Sequence, residues 1–201
     1  VRVYRNGHPT KEGVGIFAAH LMAQWPSLPV EEEGRLNDAR LRENFLCRVF
    51  TYDRWQTFLE SGATKAGLIE YHAAHKYLVL SHSQVAARRL GQLVANHENK
   101  SLSTVLTDYE HLMMETLKKP ARTGGHANTL EHILGFLKRD IHASRIADIL
   151  KNIRSYRAGY IPLVAPLMLL KHHLDVVKHP WMDKQVYLNP YPEQLMLRNF
   201  V

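Results

Sequence analysis

Apolar residues recur along most of this chain at intervals of three and four, the period of a helix with one face turned inward. The clearest run lies within 122–139, where Leu130, Ile133, Leu134 and Leu137 share one side and should face a core. Asn128, His132, Gly135 and Arg139 share the other side and offer an amide, an imidazole, a gap and a guanidinium. Two glycines in the preceding Thr123-Gly124-Gly125 read as a loop whose backbone is free for unusual φ/ψ. A helix start behind such a loop presents unpaired N–H groups, which favour an anion. The polar side therefore reads either as a phosphate or nucleotide contact surface, or as a solvated face whose glycine admits a crossing helix.

The same periodicity predicts helices through most of the rest. Residues 1–5 alternate and read as a short strand, with a turn at Asn6-Gly7-His8-Pro9. Ile16, Phe17, Leu21 and Trp25 predict an amphipathic helix over 14–25, stopped by Pro26. Glu31-Glu32-Glu33 follows in an extended stretch, where adjacent carboxylates point to opposite faces, so a solvated acidic loop is expected over a metal or acid–base site. Asn37 or Asp38 can cap a helix to about Glu60, with Leu41, Phe45, Leu46, Val49, Phe50 and Phe58 as its apolar positions.

Ser61-Gly62 ends that helix, and Thr64 caps the next, to about Ser81. Further helices are expected over 83–96, 102–119, 144–157 and 163–177. The tail 186–192 is extended, aromatic and stiffened by Pro190 and Pro192, with a short helical turn after it. The expected fold is mainly α: a multi-helix, bundle-like domain over 64–201, preceded by an α/β remnant of an upstream domain over 1–61.

A chain of 201 residues can form one or two domains, and 45% hydrophobic with 22% charged residues is ordinary for a globular protein. No apolar run approaches the roughly 18 residues of a membrane span. The single cysteine, Cys47, excludes an internal disulfide framework and any site needing several thiolates from this chain, and suits the cytoplasm. Val1 is not a starting methionine, so the chain reads as a fragment or a cleavage product.

Charge changes the picture more. Residues 1–63 carry 8 Lys and Arg against 8 Asp and Glu, whereas 64–201 carry 18 against 11 and hold 11 of the 13 histidines. A domain with the whole basic excess attracts polyanions through counterion release, nucleic acid first among them. Within it His72, His75 and His82 share one face, with Lys76 beside them. Two could reach a metal, but the third would lie about 15 Å from the first along a straight helix. The row therefore reads as a partly buried polar stripe or as a surface facing phosphates or bases.

Several stretches are specific enough to resemble known families. HKYLVLSHS (75–83), RRLGQLV (88–94), GGHANTLEHILGFLKR (124–139), YRAGYIPLVAPLMLLKHHL (156–174) and YLNPYPEQLMLRN (187–199) resemble the YbgA-like domain, of unknown function. GHPTKEGVGIFAAHLM (7–22), PVEEEGRL (29–36) and LRENF (41–45) resemble the C-terminal end of the thiouracil desulfidases. The resemblance implies a fusion of the two in this order, acting on thiolated uridine in tRNA. It also implies an iron–sulfur cluster held by three cysteines upstream of Val1. Cys47 matches none of those positions, so no cofactor is expected in this chain and it should be inactive alone.

These readings combine into an expected division of labour. Arg88, Arg89, Arg122, Lys138, Arg139, Arg157 and Lys171 would hold the phosphate backbone of tRNA. His72, His75, Lys76, His126, Asn128, His132, Tyr187 and Asn189 would shape the site that presents the base to the upstream desulfidase domain. Two alternatives stay open: a pocket for a thiouracil mononucleotide built on Asn128, His132 and nearby histidines, and a purely structural docking domain.

Overall fold

Side-chain oxygens start many of the helices. In the computed structural model, which describes residues 3–5, 8–10, 15–96 and 100–201, Asp38 Oδ1 accepts from the N–H groups of Arg40 and Leu41 at 2.9 and 3.0 Å and opens α2 (Ala39–Glu60). Thr64 Oγ1 accepts from Gly67 N–H at 3.0 Å and opens α3 (Lys65–His82). Ser83 and Ser101 cap α4 (Gln84–Ala95) and α5 (Leu102–Leu117) in the same way. Each such cap contributes about 1 kcal/mol. The remaining helices are α1 (Ile16–Gln24), α6 (Thr123–Leu137), α7 (Ala143–Arg157), α8 (Val164–Val177) and α9 (Pro180–Asp183). Short 3-10 turns at Glu33–Asn37, Glu193–Leu195 and Leu197–Phe200 complete the set among the described residues.

Helices α3 and α6 meet at the centre. α4 and α5 pack on the α3 side, α7 and α8 on the α6 side, and α2 lies against α5 and the turn Leu197–Phe200. The side of α6 expected to face inward does so: Leu130, Ile133, Leu134 and Leu137 are all fully buried. Tyr109, Met113 and Leu117 of α5 and Ile149, Ile153 and Tyr156 of α7 join them. The multi-helix, mainly α expectation is met.

The α/β remnant is not. The strands among the described residues are β1 (Val3–Arg5) and β2 (His8–Thr10), an antiparallel ribbon pairing Val3 with Thr10. His8 and Pro9, read as turn residues, belong to the second strand. Positions 1, 2, 6, 7, 11–14 and 97–99, which include parts of the expected first strand, turn, first helix and polar loop, lie outside the described residues.

Packing runs across the Ser61–Thr64 turn. Trp55 of α2 is fully buried, stacks on Tyr109 of α5 with ring centroids 5.3 Å apart, and meets Tyr71 of α3 edge-on at 5.1 Å. The residues of α2 that turn inward differ from the expected set. Glu43, Asn44, Cys47, Arg48, Thr51 and Trp55 are buried, whereas Leu41, Phe45, Leu46, Val49, Phe50 and Phe58 are only half-buried. Of the apolar side predicted for the first helix, Ile16 and Phe17 of α1 and Trp25 just after it are exposed, and Leu21 is half-buried.

Candidate functional site

The glycines before α6 act through space rather than through unusual dihedrals. Neither Gly124 nor Gly125 has a positive φ, and both lie in the first turn of α6. A Cβ on Gly125 would stand 2.1 Å from the carbonyl oxygen of Ser81, so only glycine lets α6 approach the end of α3 this closely. Gly135, by contrast, has nothing within 4 Å, and no helix crosses there.

That approach closes one side of a cleft of about 800 Å³. Its walls come from the end of α3 (Ser81, His82), the cap and middle of α4 (Ser83, Arg89), the end of α5 and the turn after it (Glu115, Lys119) and the entry to α6 (Arg122, Gly125). Two helices begin at its edge. Ser83 caps α4, while Arg122, at the head of α6, supplies no side-chain cap. The Gly125 and His126 N–H groups donate to the Arg122 carbonyl at 2.8 and 3.1 Å, so the α6 start offers the cleft its helix dipole, which favours negative charge. Arg89, Lys119 and Arg122 are exposed and supply three positive charges. Glu115 contributes the one carboxylate of the lining and is ion-paired with Lys118. His82 donates from Nδ1 to the Lys119 carbonyl at 2.8 Å. Burial holds its imidazole down at about 4, so it is neutral at pH 7. The arrangement can hold a phosphate group by charge and by donation from the Arg89, Lys119 and Arg122 side chains.

The other predicted positions scatter. His126 and Tyr187 do meet, with Nδ1 and the phenol oxygen 3.0 Å apart, but both are buried. Burial, with Arg198 nearby, keeps His126 well below its ordinary value and therefore neutral. His75 stacks on Tyr71 with centroids 3.8 Å apart and donates from Nδ1 to the Tyr71 carbonyl at 2.8 Å, while its Nε2 is buried without a partner. His72 meets the Tyr109 hydroxyl at 3.1 Å. Burial lowers both histidines to about 4. Each histidine of the row thus has its own partner and direction. Among the described residues no group of three or more His, Cys, Asp or Glu side chains is placed to hold a metal.

Lys76 lies over the Trp181 ring, 4.3 Å from its centroid. Lys171 donates to Asn189 Oδ1 at 2.8 Å and is ion-paired with Glu193, so its charge is already answered. Arg157 lines a separate cleft with Tyr156, Tyr160 and Thr123. Arg88, His132, Lys138 and Arg139 are exposed and Asn128 is half-buried, and none of these five lines the basic cleft. Of the expected phosphate ligands, then, the fold brings Arg89 and Arg122 into one place.

Sequence reasoning missed a second polar centre. Arg198, 7% exposed, donates from Nη1 to the Tyr187 carbonyl at 2.7 Å, and its Nε lies 3.7 Å from Glu43 Oε1. Tyr191 donates to the same carboxylate oxygen at 2.8 Å. Cys47, one turn beyond Glu43, is pushed up to about 12 by burial and then by that carboxylate, so it stays a thiol. Arg54 donates to the Pro190 carbonyl at 2.7 Å. This network ties α2 to the tail. The one sequence signal that could have exposed it is the spacing of Glu43, Cys47 and Thr51 along a single helix face.

These features define a mainly helical protein with a basic cleft at its surface and a buried ionic clamp between α2 and the tail. The chain belongs to the family described as "Protein of unknown function (DUF1722)", which matches residues 76–192. It is 32% identical over 165 residues to the "Uncharacterized protein YbgA" of Escherichia coli (strain K12), an alignment covering 82% of this chain and 98% of that protein. No solved structure matches the chain.

Proposed function

We propose that this domain holds the phosphate backbone of tRNA and presents a thiolated uridine to a desulfidase domain upstream, where the iron–sulfur cluster would reside. The observation that carries the reading is the cleft in which Arg89, Lys119 and Arg122 converge at the start of α6. The basic excess after residue 63 supports it, because a polyanion gains from every counterion it releases. The resemblance of residues 7–45 to the end of the desulfidases supports the fusion partner and the thiolated base. The chain itself supplies binding and orientation.

The clamp acts on the cleft through charge. Arg198 lies close enough to lower the pKa of His82, which lines the cleft, and its guanidinium also faces the Tyr187 ring at 4.9 Å. Phosphate contacts of this kind position an RNA without reading its sequence, so specificity for the thiolated base would come from elsewhere.

The test is a binding titration of tRNA against this chain over a salt series, with a thiouracil mononucleotide as control. Steep loss of affinity with salt and weak binding of the mononucleotide is the expected result. Equal affinity for the mononucleotide would favour a small-molecule pocket.

A further inference from the structure

The polar groups around the cleft are mostly donors. Arg89, Lys119 and Arg122 can only donate. Ser81 Oγ already donates to the Leu78 carbonyl at 2.7 Å, and Ser83 Oγ already accepts from Ala86 N–H at 3.2 Å. Glu115 is held by Lys118. An inorganic phosphate, or the backbone of DNA, would be served by donors alone, since its exposed oxygens are acceptors.

His82 breaks the pattern. The Lys119 carbonyl can only accept, so the 2.8 Å contact fixes the proton on Nδ1. Nε2 is left as an unprotonated acceptor. Among the described residues it has no hydrogen-bond partner, and it is not sealed away from solvent. Desolvation and the positive charge of Arg198 keep the ring neutral near pH 7. The Ser81, Ser83 and Thr116 hydroxyls can also accept, but each carries a proton to donate as well, so His82 Nε2 is the neutral group at the cleft that can only accept, set beside three cations. On a sugar–phosphate backbone the internal group that donates a hydrogen bond is the ribose 2′-hydroxyl.

We infer that His82 Nε2 accepts a hydrogen bond from a ribose 2′-hydroxyl while Arg89, Lys119 and Arg122 hold the adjacent phosphate, so that the cleft selects RNA over DNA. This rests on the polyanion reading above and adds to it a readout of the sugar. Gly125 is part of the device, because the close approach of α6 to Ser81 sets Arg122 on the same cleft wall as His82.

The experiment uses three labelled single-stranded oligonucleotides of one sequence: RNA, 2′-deoxy and 2′-O-methyl. Affinities are read by fluorescence anisotropy at several salt concentrations. The 2′-O-methyl strand keeps an RNA-like sugar but has lost the donor. The unaltered chain should bind RNA about three- to tenfold more tightly than either analogue, the ratio expected for one neutral hydrogen bond. In His82→Phe the three strands should bind alike with an unchanged salt slope. His82→Gln, which keeps an acceptor, should retain part of the preference, and His82→Leu replaces the Phe variant should that one not fold. Equal, salt-sensitive binding of all three strands by the unaltered chain would overturn the His82 assignment and leave the polyanion reading standing. Full RNA preference surviving in a folded His82→Phe or His82→Leu variant would also overturn it. No binding of any strand at low salt would overturn both.

Discussion

Helices α6 and α2 both bury one face, and they do so with opposite chemistry. α6 turns Leu130, Ile133, Leu134 and Leu137 inward, where burial of each isolated apolar side chain contributes about 1.5–3 kcal/mol. α2 turns in Glu43, Asn44, Arg48 and Thr51 beside Cys47 and Trp55. Its polar groups are acceptable inside because partners wait for many of them. Asn44 donates to the Leu117 carbonyl at 3.1 Å, Thr51 to the Cys47 carbonyl at 2.7 Å, and Glu43 meets Tyr191 and Arg198. An apolar face seals wherever it finds oil. A hydrogen-bonded face fits one partner in one register, so α2 fixes where the tail lies.

The largest expected effect separates these two kinds of interior. Arg198→Met would leave Glu43 buried without its cation and should lower unfolding free energy by about 3–5 kcal/mol in a urea titration. Adding Glu43→Leu should make the double variant more stable than the sum of the single changes by 1 kcal/mol or more, approximately. Strict additivity would mean that the two side chains do not act as a pair. On the apolar side, Leu134→Ala should cost about 2–5 kcal/mol with no partner able to restore it.

The two α6 glycines sharpen the comparison at smaller scale. Gly125→Ala forces a methyl toward the Ser81 carbonyl and should cost about 1–3 kcal/mol, with the cleft disturbed as well. Gly135→Ala meets nothing and should raise stability by about 0.5–1 kcal/mol, read as a higher thermal midpoint. The same sign for both would contradict the packing described.

Acid should act through the inward histidines. His72 and His75 stand at about 4 in the folded chain against an ordinary value of 6.5, with burial as the main cause. Below pH 6.5 the unfolded chain takes up protons that the folded chain refuses, so stability is full above about 6.5 and falls as pH drops toward 4. Urea midpoints measured at pH 7.5 and pH 5 should differ in that direction, and His75→Gln should shrink the difference.

What the sequence disclosed follows the same contrast. The α6 core face, the caps Asp38 and Thr64 and most helix bounds were legible, because apolar period and cap chemistry are local signals. The α2 face is misread in the sequence because its apolar residues mark the half-buried flanks, and buried Asn44 and Glu43 are explained only by groups at Leu117, Tyr191 and Arg198, far along the chain. In the sequence Gly125 reads as a source of φ/ψ freedom, although its role is distance from a carbonyl on another helix. Arg89 and Arg122 stand out by charge, which is local. That His82 and Lys119 would join them was not readable, since a cleft is a property of packing. Lys171 looked free for the converse reason: Glu193 reaches it only through the fold.

The central claim is that one cleft, rather than the basic surface at large, holds the RNA. The most direct measurement compares tRNA affinity and its salt slope in Arg89→Ala/Arg122→Ala with those in Lys138→Ala/Arg139→Ala, two variants that each remove two exposed charges. Neutralising the cleft should weaken binding at least about tenfold and lower the salt slope by about two, with little change in the α6 control pair. Equal losses in both variants would show that charge alone binds the RNA and would contradict a dedicated cleft.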